Sequence, residues 1–337
     1  MILRRSALSV AAWICCTALA CSSCSTTNDA PADVGDAQID GCEALATAYC
    51  ARLDGCAPAV VFRAFGDTET CRKRVVLDCG SAIGAAGAHL QRSGLENCAE
   101  AVTTMACTDL FTGLHPSACA KPEGERISGA GCSYAAQCRS SCLRTSVSVD
   151  RWCGRCDPEP TEPECDAVAP HEFQLVKPID VPGLSRGTDR SGCPQGLVCS
   201  GEKRCVEGAA QGAACSDTEP CLRPLVCDGG TCKKLGARAA PCGLGMVACN
   251  VYEGLWCASG RCVDIRKADE GQPCPADLGG NIPLCARSST CVEGTCVPTK
   301  PDGAACVMGS DCLWPAVCLP DGPSGTTRKC VVAACST

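Results

Sequence analysis

Aromatic side chains are scarce: 4 Trp, 3 Tyr and 4 Phe among 337 residues. Leu, Ile, Val and Phe together fill only 59 of the 337 positions. A chain this poor in apolar mass cannot fill the core of one large barrel or doubly wound sheet. Histidine is rarer still, with 3 residues, and no G-x-S-x-G elbow accompanies them. Nucleophilic hydrolysis therefore has no nucleophile-and-base pattern to rest on. Neither a G-x-G-x-x-G turn after a strand nor a G-K-[ST] loop is there to cradle a phosphate. Positive charge is not in excess, with 30 Lys plus Arg against 37 Asp plus Glu and a formal charge of −7. Without a basic stripe to neutralise phosphates, nucleic acid is not an expected partner. Past residue 20, no apolar run approaches the roughly 18 residues that a membrane span needs.

What the chain has in quantity is cysteine, 38 residues. Such a content marks a disulfide scaffold, built as several small cross-linked units. Oxidised pairs in this number require an extracytoplasmic compartment. The N-terminus agrees with that. Arg4 and Arg5 form a short basic region, and Ser6 to Ala20 is an apolar stretch ending in small residues, as in a secretory signal. Ala18-Leu19-Ala20-Cys21 reads either as an A-x-A cleavage site or as a bacterial lipobox with Cys21 as the lipidated residue, although Ala18 stands where a lipobox usually has Leu. Both readings cut after Ala20. Ser22, rather than Asp, follows Cys21, a pattern resembling outer-membrane sorting. From Ser22 to Asp40 the chain is rich in Ser, Thr, Asn, Asp, Ala and Pro and has no apolar periodicity, which predicts a disordered, self-repelling tether over residues 21–41.

Two textures follow. In residues 42–119, Cys42, Leu45, Ala46, Tyr49, Cys50 and Leu53 recur at helical spacing. Asp67 or Thr68 is placed to cap a second helix that carries Cys71, Val75 and Cys79 on one stripe and ends at Gly80. Cys98, Val102, Met105 and Ala106 mark a third stripe. Eight cysteines here predict a helical domain with four disulfides, of which 105 connectivities are possible. After Pro122, Gly and Pro rise and cysteines recur with a period of about 30 residues. The clearest unit is Gly212-Ala213-Ala214-Cys215 followed by Cys221, Cys227 and Cys232. The frame returns at Cys242, Cys249, Cys257 and Cys262. It returns again at Cys274, Cys285, Cys291 and Cys296, and at Cys306, Cys312, Cys318 and Cys330, with Cys335 left over. An earlier copy fits Cys165, Cys193, Cys199 and Cys205 if 166–192 is an insertion. The first unit, Cys132, Cys138, Cys142, Cys153 and Cys156, is atypical. Gly-Thr-Cys at 230–232 and 294–296 and Ser-Gly-Arg-Cys at 259–262 predict tight hairpins.

This cysteine and glycine frame resembles the modules of Dickkopf N-terminal regions and the nematode EB module over residues 128–335. The whole layout resembles bacterial cysteine-rich lipoproteins, with a lipid signal, a helical eight-cysteine domain and then cysteine modules. The fold class expected is a small disulfide-rich multi-module protein: an N-terminal α-helical disulfide domain followed by an array of short cross-linked β-hairpin modules. Its units are a signal peptide (1–20), a tether (21–41), the helical domain (42–119), atypical modules (120–207) and further modules at 208–235, 236–265, 266–298 and 299–337.

Candidate chemistry is thin. Trp152-Cys153-Gly154-Arg155-Cys156 looks like the W-C-G-x-C redox site of thioredoxins. That chemistry needs a helix N-terminus at the first cysteine. Pro158, Pro160 and Pro163 forbid the helix, which leaves a structural disulfide. Past the tether, Cys153/Cys156 is also the one C-x2-C pair, whereas a zinc site needs two knuckles, and His89, His115 and His171 show no ligand spacing. Lys267-Ala268-Asp269-Glu270-Gly271 falls short of a calcium loop and reads as a solvated turn. The insertion offers Phe173, Leu175, Val176, Ile179 and Val181 as an apolar patch for a partner, or else is a variable loop without a role. Trp256 and Trp314 are either interface anchors or the packing of their own hairpins.

These features together support a non-enzymatic extracytoplasmic lipoprotein, either outer-membrane or secreted. Its modules would form a stiff stalk or binding array on the cell envelope, facing an extracellular protein or glycan, with a lipid anchor to the membrane and no cofactor, metal or nucleic acid. Two other readings stand beside it. One is a secreted protease inhibitor presenting a stapled loop as a rigid bait. The other is a small extracytoplasmic hydrolase within 42–119. Cysteines 42 to 335 are even in number, so thiol titration of the denatured mature chain is expected to find fewer than about two free thiols. Many thiols released together with stoichiometric zinc would contradict the disulfide reading.

Overall fold

The computed structural model describes residues 36–144, 154–157, 181–182, 184, 188–189, 197–243, 246–275, 283–307, 311–321 and 327–332. Cys21 and the signal segment lie outside these residues, as do Trp152, Cys153, Phe173, Leu175, Val176 and Ile179.

The helical stripe read from the sequence forms one long helix, α1 (Asp36–Cys56), which takes in residues 36–41 of the segment expected to be a disordered tether, because the helix that buries Cys42 and Leu45 extends N-terminally through them. Cys42, Leu45, Ala46, Tyr49, Cys50 and Leu53 are each at most 2% exposed. Next comes α2 (Pro58–Phe65), a helix not read from the sequence, which opens on Pro58, a residue suited to a first helical turn. Helix α3 (Thr68–Ile83) begins at Asp67, whose carboxylate accepts the Thr70 N–H at 2.6 Å. It does not stop at Gly80, as the sequence suggested. The Cys42–Cys79 bridge and the fully buried Ala82 hold three further residues in the helix. These contacts outweigh the roughly 1 kcal/mol that a glycine costs in a helix interior. Helices α4 (Arg92–Thr104) and α5 (Cys107–Thr112) complete the domain, and Met105 already turns away as the C-cap of α4.

Its four bridges are Cys42–Cys79, Cys50–Cys71, Cys56–Cys107 and Cys98–Cys119. The first two share one logic. Cys42 and Cys50 lie eight residues apart on α1, and Cys71 and Cys79 lie eight apart on α3, so two antiparallel helices meet in register about two turns apart. Each bridge closing a loop of this size contributes about 3 kcal/mol by restricting the unfolded chain.

The rest of the chain consists of very short strands. β1 (Gly131–Cys132), β2 (Ser141–Arg144), β3 (Gly154–Asp157) and β4 (Thr188–Asp189) form a sheet in the order β1-β3-β2-β4, with β2 and β4 parallel. Antiparallel pairs follow: β5 (Leu197–Cys199) with β6 (Cys205–Glu207), β7 (Val226–Asp228) with β8 (Thr231–Lys233), and β9 (Leu255–Ala258) with β10 (Arg261–Asp264). β11 (Lys267–Ala268) and β12 (Leu284–Cys285) pair in parallel. β13 (Thr290–Val292) with β14 (Thr295–Val297), and β15 (Val317–Pro320) with β16 (Arg328–Val331), are hairpins again.

One pairing rule runs through the modules: the first cysteine joins the third and the second joins the fourth. It gives Cys215–Cys227 with Cys221–Cys232, Cys242–Cys257 with Cys249–Cys262, Cys274–Cys291 with Cys285–Cys296, and Cys306–Cys318 with Cys312–Cys330. The first unit obeys it too once Cys153 is set aside, with Cys132–Cys142 and Cys138–Cys156. The third and fourth cysteines sit directly opposite on the hairpin, as Cys227 does to Cys232, but each bonds elsewhere. The bridges thereby tie the hairpin to the segment that precedes it, and the cysteines themselves make up most of each small core.

Two-residue turns close three of the hairpins. Gly229-Gly230, Ser259-Gly260 and Glu293-Gly294 all have positive φ at both positions, the type I′ geometry that matches strand twist. At Gly260, φ is +75° and an added Cβ would meet nothing closer than the Cys242 carbonyl oxygen at 3.9 Å. Substitution there tests backbone strain with almost no steric term. Gly260→Val is expected to destabilise the oxidised chain by about 1–2 kcal/mol in chemical denaturation, with Gly260→Asn costing less. An unchanged midpoint for Gly260→Val would contradict the turn assignment.

Candidate interaction surface

The modules do not lead away from the helical domain as a stalk; four of them turn back onto it. In the first, the Glu125 N–H donates to the Gly87 carbonyl (2.9 Å), and Arg126 Nε and Gln137 Nε2 both donate to the Ala86 carbonyl (3.0 and 2.9 Å). The Tyr134 hydroxyl lies 3.0 Å from Oδ1 of Asp78, and both residues are buried. In the 236–265 unit, Tyr252 stacks on Phe111 with ring centroids 4.2 Å apart.

The 266–298 unit interlocks with α2. The last carbonyls of a helix have no partner within the helix. Here a distant turn supplies partners, because the Arg287 and Ser288 N–H groups donate to the carbonyls of Phe62 (3.3 Å) and Arg63 (2.5 Å). Arg287 and Ser288 both adopt positive φ to present those groups, an arrangement that costs non-glycine residues energy. In return, Arg63 Nη1 donates to the carbonyls of Cys285 (3.2 Å) and Ser289 (2.5 Å), and burial lowers the pKa of its guanidinium. Gly66 at φ +86° leaves room for Arg287, whose Nε would stand 2.9 Å from any added Cβ. Nearby, Lys267 Nζ sits over the Phe62 ring at 4.9 Å.

The 299–337 unit is held by Arg74 of α3. Its two Nη atoms fork onto Asp302 at 2.7 and 3.0 Å, Nε donates to the Trp314 carbonyl at 2.6 Å, and Nη2 donates to the Leu313 carbonyl at 2.7 Å. A planar guanidinium fits such an array where an ammonium does not.

The residues singled out in the sequence fall on both sides of this packing. Trp314 is turned inward, edge-on to Phe65 at 5.7 Å and 79°, and half-buried against the helical core. Val181 does not belong to an exposed patch: it is 4% exposed and joins Leu184 within the helical core. This short segment packs into the helical core beside α4, where the Pro182 carbonyl lies 3.7 Å from Sγ of Cys98. Trp256 does face outward. It pairs with Val263 across β9 and β10, on the side of the hairpin opposite to Cys257 and Cys262, and the two side chains are 44% and 40% exposed. Arg63 and Arg74, which hold the modules, carried no sequence signal, because the groups they bind lie more than 220 residues away.

Chemistry at cysteine is limited by pairing. Cys156 is bonded to Cys138, lies in strand β3 and is fully buried, so it is not half of a Cys153–Cys156 redox pair. In five modules three sulfurs lie within 4.8 Å of one another, but each is part of a disulfide, and a metal would require thiolates. Two histidines fall among the described residues. His89 is exposed beside Glu125 at 3.3 Å, and burial pushes His115 down to about 4, which keeps it neutral at physiological pH. No protein-family model, curated protein or solved structure matches the chain.

Loss of the Arg74 fork leaves two carbonyls and a carboxylate without their donor. Arg74→Ala is expected to lower the unfolding free energy by about 2–4 kcal/mol and to raise amide exchange across residues 311–318. Arg74→Lys is expected to restore less than half of it. Unchanged exchange in Arg74→Ala would show that this module is held by other contacts.

Proposed function

We propose that this chain is a non-enzymatic, extracytoplasmic binding lipoprotein, anchored through a lipid on Cys21 and recognising an extracellular protein or glycan through a hairpin face of its cysteine modules. The observation that carries the reading is the outward Trp256–Val263 pair on a hairpin fixed by two bridges and by the Tyr252–Phe111 stack. Single aliphatic side chains are exposed elsewhere, Leu77 and Leu114 of the helical domain among them, but Trp256 is the one exposed aromatic among the described residues. Here a Trp, the side chain most enriched at binding hot spots, is left in water beside a valine. A rigid scaffold keeps the ordering cost of binding low. Extensive disulfides fit an oxidising compartment outside the cytoplasm. The signal-like N-terminus, the lipobox-like Ala18-Leu19-Ala20-Cys21 and the polar residues that follow support attachment at a distance from the membrane.

Two measurements test the two halves of the reading. Cys21→Ala is expected to move the protein from the membrane fraction to the soluble fraction; wild-type protein found in the medium with an unmodified N-terminus would contradict the anchor. Binding partners captured by crosslinking on the native cell, or retained on a glycan array, should lose at least about tenfold in affinity with Trp256→Ala. Thermal stability should stay within about 0.5 kcal/mol of wild type, since the side chain is exposed. A partner bound equally well by Trp256→Ala would remove this face from the account.

A further inference from the structure

In the 208–235, 236–265 and 266–298 units the third cysteine is the most exposed of the four, and its exposure differs from unit to unit. Cys142 and Cys318 are buried, Cys257 and Cys291 are half-buried, and Cys227 is exposed. Cys227 is the one exposed residue among the described disulfide-bonded cysteines. The cause lies in the 208–235 unit itself. Its loops are the shortest of the four-cysteine frames, so its core is Cys215, Cys221 and Cys232 with only Ala209 and Leu225 packed against them. Its described backbone hydrogen bonds close within the unit or onto Gly201 of the preceding hairpin, whereas the next unit rests on α5 through the Tyr252–Phe111 stack.

We infer that Cys215–Cys227 is a site of thiol–disulfide exchange, opened by an external thiolate that attacks Cys227. The step balances as an ordinary exchange. The incoming sulfur bonds to Sγ of Cys227, the Cys215–Cys227 bond breaks, and Cys215 leaves as a thiolate that takes a proton from water. A second thiol from the reductant then releases Cys227 and is itself oxidised to a disulfide. Access governs which sulfur is attacked, and exposed bridges are the labile ones. Cys215 also has an internal outlet. Its sulfur lies within 4.8 Å of those of Cys221 and Cys232, so the freed thiolate can attack the second bridge and re-pair with one of its sulfurs, expelling the other. The unit thus takes up exchange at its one exposed cysteine and passes it to a buried pair, and the hairpin stays tied to the segment before it when the new bridge is Cys215–Cys232. The reactant is a thiol of either source: a small thiol of the glutathione type, or the dithiol of a protein reductant.

The test uses the full oxidised mature chain, with timed alkylation after addition of either glutathione or a thioredoxin-type dithiol, and peptide mapping. Cys215 and Cys227 are expected to label first, about tenfold faster than Cys274 and Cys291 and faster still than Cys306 and Cys318. Rapid labelling with glutathione identifies a small-thiol site, and rapid labelling with the dithiol protein alone identifies a protein reductant as the source. A Cys215→Ser/Cys227→Ser double variant should lose the fast phase and keep the slow ones. Simultaneous opening of the described bridges, or a helical-domain bridge opening before Cys215–Cys227 with both reductants, overturns the inference.

Discussion

The structure depends on cross-linking in place of apolar burial. A module of about 30 residues whose core holds its cysteines and only one or two aliphatic side chains cannot offset its own ordering entropy by hydrophobic contact. Two bridges, joined first to third and second to fourth, remove much of that entropy from the unfolded chain and leave a hairpin attached to its preceding segment. The four sulfurs then serve as the core that the composition lacks. The helical domain uses the same device at another period, with cysteines eight residues apart stapling α1 to α3.

Cross-linked modules still have polar backbone at their margins, and the helical domain still has helix ends and an incompletely covered core. Docking answers both needs. The Arg63 carbonyl at the end of α2 receives the Ser288 N–H, the Phe62 carbonyl gains the Arg287 N–H beside that of Gly66, and Arg63 returns bonds to the carbonyls around that turn. Arg74 does the same for the last module. Aromatic contacts are few, as the composition requires, and two of them, Phe111–Tyr252 and Phe65–Trp314, lie where a module meets a helix. Scarce aromatics are placed at the joints rather than within the modules. This gives Trp256, on the open side of its hairpin, its different standing.

Much of this was legible in the sequence where the signal is periodic or local. The Cys42-to-Leu53 stripe gave a helix because 3.6-residue spacing is visible over three turns. The Gly-Thr-Cys and Ser-Gly-Arg-Cys runs gave hairpins because type I′ turns need particular residues. The Trp152–Cys156 motif could be set aside from its prolines, and the structure pairs Cys156 with Cys138. Local rules failed where tertiary contacts decide. Gly80 looks like a helix end, but the bridge at Cys79 and the burial of Ala82 carry the helix past it. Val181 looked like part of a partner surface and is core, because nothing in its own neighbourhood records the open face of a domain some 80 residues earlier. The docking arginines have no period at all, so an array of repeats read as a stalk.

The central claim is that the modules pack around the helical domain instead of extending from it. Small-angle X-ray scattering of the oxidised mature chain tests it most directly. A folded body of about 300 residues has a radius of gyration near 19 Å, and the polar N-terminal segment adds a few Å to that. The account predicts a value in the low twenties of Å with a nearly symmetric distance distribution. A value above about 30 Å, with a long tail of distances, would show an extended array and contradict it.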